Sequence, residues 1–157
     1  MTSETKDLAQ RVVGAILHDD QATSMLGIVV VSADVGAACM EMTVRPDMLN
    51  GNQVCHGGIL FTLADIAFAC ASNSRNQRAV TAAAQIDFLR RAVEGDILRA
   101  TAVEISLGRR HGLYDVSIEN QHGEAVAVFR GRSSNIRGTV IDHARAAEDT
   151  SGSKLPA

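Results

Sequence analysis

Apolar and polar residues follow two different periodicities along this chain. Residues 4–18 carry apolar side chains at helical spacing, with Leu8, Val12, Ala15 and Ile16 on one face. This spacing predicts an amphipathic helix at the start of the chain.

Six other segments are rich in β-branched residues, and several alternate apolar with polar side chains as half-buried strands do. They are residues 26–33, 37–45, 79–90, 97–107, 113–120 and 125–136. Short turns that contain glycine or acidic residues separate most of them. Hairpin-linked strands in this order predict an antiparallel sheet.

A polar, glycine-containing loop between the second and third β-rich segments leads into an almost wholly apolar helix. Between Ile59 and Ala71 the only polar side chains are Thr62 and Asp65. A helix that is apolar nearly all round must be covered on most sides, which a curved sheet and a second subunit can do. An ionised carboxylate in such surroundings is costly unless its pKa shifts or hydrogen bonds hold it. Asp65 is therefore a candidate for chemistry.

Composition narrows the class of protein. With 157 residues, 46% hydrophobic and 21% charged, the chain is typical of one soluble globular domain. The net charge of −3 argues against a nucleic-acid partner that is bound through a strongly basic surface. The longest apolar run is too short to span a membrane, and the N-terminus lacks a signal-peptide pattern. The three cysteines have no metal-ligand spacing, so we expect a cytoplasmic protein without metal or cofactor.

A specific motif connects the loop and the apolar helix. It comprises Asn50, the run Cys55-His56-Gly57-Gly58 and residues 60–69, which include Asp65. On this motif the chain resembles the hotdog-fold acyl-CoA thioesterases, most closely the phenylacetate-degradation (PaaI-like) subfamily. The resemblance implies an α+β fold in which a curved antiparallel sheet of five to six strands wraps around a long central helix. It also implies a homodimer with a continuous sheet, usually paired into a homotetramer, with active sites at the subunit interface.

The resemblance assigns catalytic roles around the helix start. It implies that Asp65 acts as general base or nucleophile and that the Gly57 backbone N–H is the oxyanion donor. His56 would position the thioester or order the loop, and Asn50 would hold water or the loop. Simpler structural roles are open for each of these residues: a carboxylate held by neighbouring groups, a flexible helix cap, a loop histidine and an Asx turn.

Thr81 is a further candidate catalytic residue, and other residues are candidates for contacts with coenzyme A or with the acyl group. Thr81 corresponds to a hydroxyl that related enzymes supply from the other subunit, although a β-branched residue in a strand needs no such role. The turn Arg109-Arg110-His111 suits the phosphates of coenzyme A, or is an ordinary solvated turn. Gly58, Phe61 and Phe68 are candidates for close packing or for the acyl pocket.

Gly57 and Asp65 are eight residues apart, about 12 Å along a helix. One thioester carbon cannot reach both within one subunit, so the acid is expected to face Gly57 of a partner chain.

The resemblance implies hydrolysis of acyl-CoA thioesters, with phenylacetyl-CoA or its hydroxylated forms as substrates. Two alternatives remain open: an acyl-thioester hydratase or dehydratase, and a non-catalytic acyl-CoA sensing module. The predicted domain covers residues 1–137, with an N-terminal helical segment at 1–22 and a flexible tail at 138–157.

Overall fold

The computed structural model describes residues 2–142 of this protein. The described elements are α1 Ser3–His18, α2 Gln21–Leu26, β1 Val29–Asp34, β2 Ala37–Thr43, a 3-10 turn Pro46–Met48, α3 Gly57–Asn73, β3 Ala79–Phe88, β4 Ile97–Leu107, β5 His111–Glu119 and β6 Ala125–Asn135. Their order confirms the predicted succession of an N-terminal helix, two strands, one buried helix and four more strands.

The six strands form one antiparallel sheet in the order β1-β2-β4-β5-β6-β3. Strands β4, β5 and β6 follow one another as hairpins. Strand β3 precedes β4 in the chain but lies at the edge of the sheet, beside β6. Within the described residues, the outer edge of β3 pairs with no other strand. Its free backbone groups can accept a further strand.

Helix α3 lies against one face of the sheet and contacts residues of all six strands. Much of its surface is completely buried, including Leu63, Ala64, Ala67 and Phe68. Helix α1 packs against β1 and α3. No helix within residues 2–142 is both long and apolar enough to cross a membrane.

The N-terminal region differs from the prediction in two details. A second helix, α2, lies just before the segment predicted as a strand and overlaps it only at Leu26, and the strand itself begins at Val29. Asp20 caps α2 by accepting a hydrogen bond from the Thr23 N–H (3.0 Å), and Gly27 ends it with φ of +66°. In α1 the exposed Ala15 does not belong to the buried face, because the helix turns Ala9, Val12 and Val13 inward.

Contacts with the domain extend beyond residue 137, where the predicted domain ends. The buried side chain of Asn76 accepts hydrogen bonds from the N–H groups of Val140 (3.0 Å) and Ile141 (2.9 Å). Its amide also donates to the Ile141 carbonyl (2.9 Å). The chain therefore remains attached to the domain through Ile141. The rest of the predicted tail, residues 143–157, lies outside the described residues.

Candidate active site

His56 determines where helix α3 begins. Its backbone is extended (φ −60°, ψ 134°), and its Nδ1 accepts a hydrogen bond from the Gly58 N–H (3.1 Å). Gly57 is the first helical residue, so its own N–H has no acceptor inside the helix. Among residues 2–142, nothing else accepts from that N–H either. A free donor at the positive end of the helix dipole suits a developing oxyanion.

Phe88, the last residue of β3, lies against the start of α3. A Cβ atom added to Gly57 would lie 3.0 Å from Cζ of the Phe88 ring. Position 57 therefore favours glycine for steric reasons as well as for access to its N–H. Sequence reasoning did not select Phe88, because nothing in the strand pattern indicates that it reaches the helix start.

One face of α3 carries three of the predicted site residues at four-residue intervals, namely Gly57, Phe61 and Asp65. Phe61 is half-buried and packs edge-on against Phe129, with ring centroids 5.3 Å apart. Phe68 is completely buried in the core, which is the close-packing alternative, and a place for it in an acyl pocket stays a prediction.

Asp65 is partly buried and accepts a hydrogen bond from the hydroxyl of Thr81 (3.2 Å). Burial raises the pKa of the Asp65 carboxyl group, and the Thr81 hydrogen bond opposes part of that shift. Both residues belong to the same chain. The contribution of a Thr81 hydroxyl from the other subunit stays a prediction.

A β-bulge makes the contact between Thr81 and Asp65 possible. Thr81 pairs with Ser133 and Ala83 with Arg132, so one extra residue is accommodated in β3. In a regular strand Thr81 and Phe88 would face opposite sides, because they are an odd number of residues apart. The bulge brings both side chains to the face that meets α3.

The described contacts of Asn50 shape the loop before α3. Its Oδ1 accepts hydrogen bonds from the N–H groups of Asn52 (2.9 Å) and Val54 (3.4 Å). Gln53 adopts a left-handed conformation (φ +58°) within the same turn. This is the Asx-turn geometry. A direct role for Asn50 in binding water or substrate remains a prediction.

The predicted phosphate-binding turn lies between β4 and β5. Asn135 holds it from β6, because its N–H donates to the Arg110 carbonyl (2.8 Å) and its amide to the Arg109 carbonyl (3.1 Å). Both arginines line a cavity of about 720 Å³ together with Arg137, and its described lining contains no acidic residue. Sequence reasoning missed Arg137. Another arginine, Arg130, is not among the residues that line this cavity and forms an ion pair with Asp115.

His111 begins β5, and its Nδ1 lies 3.3 Å from the Ser133 carbonyl oxygen. Across the sheet it lies in one row with Ser134 of β6 and Val80 of β3. Two strand spacings amount to about 10 Å. The arginine turn is therefore close to the end of β3 that carries Thr81.

Neither a metal centre nor a reactive thiol is indicated beside this site. Within residues 2–142, no group of three or more His, Cys, Asp or Glu side chains could hold a metal ion. Burial raises the pKa of Cys55 to about 11 and that of Cys70 to about 12. Both thiols are therefore protonated near neutral pH, which makes them poor nucleophiles.

Comparisons with known proteins identify the family of this chain. Residues 52–127 match the Thioesterase superfamily. Acyl-coenzyme A thioesterase PaaI of Escherichia coli (strain K12) is 48% identical over 130 residues, which are 83% of this chain and 93% of that protein. The structure of E. coli PaaI, from the phenylacetic acid degradation operon, superimposes with a TM-score of 0.84 at 47% identity. That match covers 85% of this chain and 97% of the PaaI chain.

A Streptococcus mutans protein whose structure contains acetyl CoA is more distant. It has a TM-score of 0.69 and 28% identity, over 71% of this chain and 90% of that chain. The predicted family and the α+β fold are both confirmed by these matches. The protein therefore belongs to the thioesterase superfamily and is a hotdog-fold enzyme of the PaaI-like type.

Proposed function

We propose that this protein hydrolyses acyl-CoA thioesters, with Asp65 and the Gly57 N–H as its two catalytic groups. The observation that carries the proposal is their position on one face of α3, a partly buried carboxylate and a free helix N-terminal donor. The similarity to E. coli acyl-coenzyme A thioesterase PaaI supports the reaction class. The acetyl CoA bound to the S. mutans protein supports coenzyme A as part of the substrate.

The chemistry requires both groups at once. In the general-base route, Asp65 takes a proton from water while the water oxygen attacks the thioester carbonyl carbon. The carbonyl electron pair moves to the oxygen, which the Gly57 N–H stabilises. When the tetrahedral intermediate collapses, the C–S bond breaks and coenzyme A leaves as a thiolate. In the other route, Asp65 itself attacks and water hydrolyses the resulting anhydride.

The separation of Asp65 and Gly57 along α3 calls for a second copy of the chain. The free edge of β3 offers the contact, because two copies can join their sheets edge to edge. Twofold pairing centred on Ala84 or Gln85, near the middle of β3, would place Thr81 of one copy beside residues 87–89 of the other. Asp65 of one chain would then meet Gly57 of its partner.

Pairing of two such dimers into a homotetramer is also part of the proposal. The face of the sheet away from α3 carries Val103 and Val128, each more than two-fifths exposed. A cavity of about 470 Å³ lies between them and the Asp115–Arg130 ion pair. Apolar exposure of this kind is typical of a second interface.

We propose aryl-acetyl groups, such as phenylacetyl or hydroxylated phenylacetyl, as the preferred acyl groups. Phe61 on the site face of α3 supports this preference, since aromatic rings pack favourably edge to face. The phosphates of coenzyme A would bind at Arg109 and Arg110, with Arg137 as a third cation on the same cavity.

We propose that the reaction takes place in the cytoplasm. Cys39, Cys55 and Cys70 are free and buried, as is usual in the reducing cytoplasm. A carboxylate and a backbone donor supply the chemistry, so the proposed hydrolysis uses no metal or cofactor.

The proposal is tested with an assay for thiol release from a panel of aryl- and alkyl-CoA thioesters. We expect Asp65→Asn to lower turnover at least ~100-fold, because the amide cannot act as a base. Asp7→Asn, which removes an exposed carboxylate on α1, is the matched control and should retain full activity.

Hydrolysis by Asp65→Asn at the wild-type rate would contradict the proposed mechanism. Loss of an enoyl chromophore without thiol release would favour the hydratase alternative. Tight binding of acyl-CoA without turnover would favour a sensing module.

A further inference from the structure

The position of Phe88 is not explained by packing of the hydrophobic core. Its side chain is 54% exposed. The tip of its ring points at Gly57, since a Cβ atom there would lie 3.0 Å from Cζ and 3.4 Å from both Cε atoms. Because only the tip makes this contact, the two faces of the ring are not covered by Gly57.

We propose that Phe88 is a specificity-determining residue that forms an aromatic wall beside the oxyanion donor. This inference rests on the proposed hydrolysis at Gly57 and adds the element that selects the acyl group. A carbonyl oxygen bound to the Gly57 N–H lies about 2.9 Å from that nitrogen. The first carbons of the acyl chain then lie beside the Phe88 ring, and an aryl group placed there gains an aromatic contact that acetyl lacks.

The backbone around Phe88 holds the ring in place. Phe88 pairs with Ala127 of β6, and the next residue, Leu89, donates a hydrogen bond to the Val126 carbonyl (2.8 Å). One turn further along α3, Phe61 presents a second ring that is fixed against Phe129. Two aromatic side chains on rigid elements thus accompany the helix face that carries both catalytic groups.

The test compares kcat and KM for phenylacetyl-CoA and acetyl-CoA in wild type, Phe88→Ala and Phe88→Leu. We expect kcat/KM for phenylacetyl-CoA to fall roughly tenfold in Phe88→Ala, the scale of one aromatic contact. The value for acetyl-CoA should change less than about twofold, since its acyl group makes no such contact. Phe88→Leu removes the aromatic ring but keeps apolar bulk, and it should show the same loss of preference for phenylacetyl-CoA. It therefore replaces the alanine variant in the test if that variant fails to fold.

Val29→Ala is the matched control, because Val29 is a similarly exposed (55%) apolar residue on β1, at the opposite edge of the sheet. Its acyl preference should equal that of wild type. Equal losses for both substrates in the Phe88 variants, or no loss for either, would overturn the inference.

A binding experiment separates this inference from the proposed reaction. A thioether analogue of phenylacetyl-CoA, which cannot be hydrolysed, is titrated against wild type and Phe88→Ala by calorimetry. Weaker binding of the analogue with unchanged binding of free coenzyme A supports the wall even if wild type shows no turnover. Equal binding of the analogue to both proteins overturns the wall even if the enzyme hydrolyses thioesters.

Discussion

At the level of single residues, two opposing effects determine the pKa of the Asp65 carboxyl group. Burial in the apolar surroundings of α3 favours its neutral form, and the hydroxyl of Thr81 favours its ionised form. The sequence pointed to Asp65 because a carboxylate amid apolar helix residues is costly. The partner that stabilises it could not be read in the same way, because Thr81 looks like any β-branched strand residue.

Thr81→Val tests this balance through the pH dependence of kcat/KM. As a base or nucleophile Asp65 must be ionised, so activity falls as pH drops below its pKa. Burial raises this pKa, and loss of the Thr81 hydrogen bond removes the contact that lowers it. We therefore expect the acidic limb of the profile to move to higher pH in Thr81→Val. Thr81→Ser keeps the hydroxyl, so the acidic limb of its pH profile should match that of wild type. An acidic limb that does not move in Thr81→Val would show that the Thr81 hydroxyl does not affect the pKa of Asp65.

At the level of elements, the amino-acid pattern predicted α3 and most strands but not their irregularities. The bulge after Thr81 leaves no signal in the alternation of apolar residues, yet it decides which face that side chain occupies. Helix α2 was missed because its six residues are too few for helical periodicity to appear. Phe68 could not be distinguished from Phe61 by sequence, since α3 is apolar nearly all round.

Close approach of β6 to α3 explains a glycine in the middle of that strand. A Cβ atom on Gly131 would lie 2.9 Å from the rings of both Phe68 and Phe129. We expect Gly131→Ala to lower the free energy of unfolding by about 1–3 kcal/mol, the usual cost of overpacking a core. Urea denaturation measures the change.

The same substitution in α1 provides the control for this prediction. Gly14 has no atom within 4 Å of an added Cβ. Gly14→Ala should raise the free energy of unfolding by up to about 1 kcal/mol, because alanine favours the helix. A neutral Gly131→Ala, or equal effects at both sites, would show that the helix and sheet are not tightly packed at this point.

At the level of the whole molecule, the sheet order gives the free edge of β3 its importance. The strand follows α3 in the chain but lies beside β6, which leaves one edge open next to the site residues Thr81 and Phe88. Hairpin signals predict pairing between neighbours in sequence, so they indicated the β4-β5-β6 meander but not the placement of β3.

A composite site between two copies can be tested by mixing two inactive variants. Gly57→Pro removes the donor N–H, and the fixed φ of proline suits the first helical position. Its Cβ atom requires the exposed Phe88 ring to move aside. His56 already has the extended conformation that a residue before proline requires. Asp65→Asn removes the proposed base or nucleophile. In a heterodimer of these two chains, one of the two composite sites keeps both Asp65 and the Gly57 N–H.

Random mixing of the two variants should restore roughly a quarter of wild-type activity, since half the dimers are mixed and each has one intact site. Thiol release after co-refolding measures the recovery, and each variant refolded alone is the control. Mixed samples that stay inactive although a dimer forms would place both groups in one chain.

The sequence by itself determined the fold class, the approximate bounds of the long elements and the apolar helix that carries the proposed acid and glycine. Periodicity and cost of burial are local properties that a chain carries along its length. Only the tertiary structure decided that Thr81 meets Asp65, that Phe88 stands over Gly57 and that Arg137 joins the arginine turn. These pairings depend on a bulge, on strand order and on the path of residues 136–141, which bring together residues far apart in the chain.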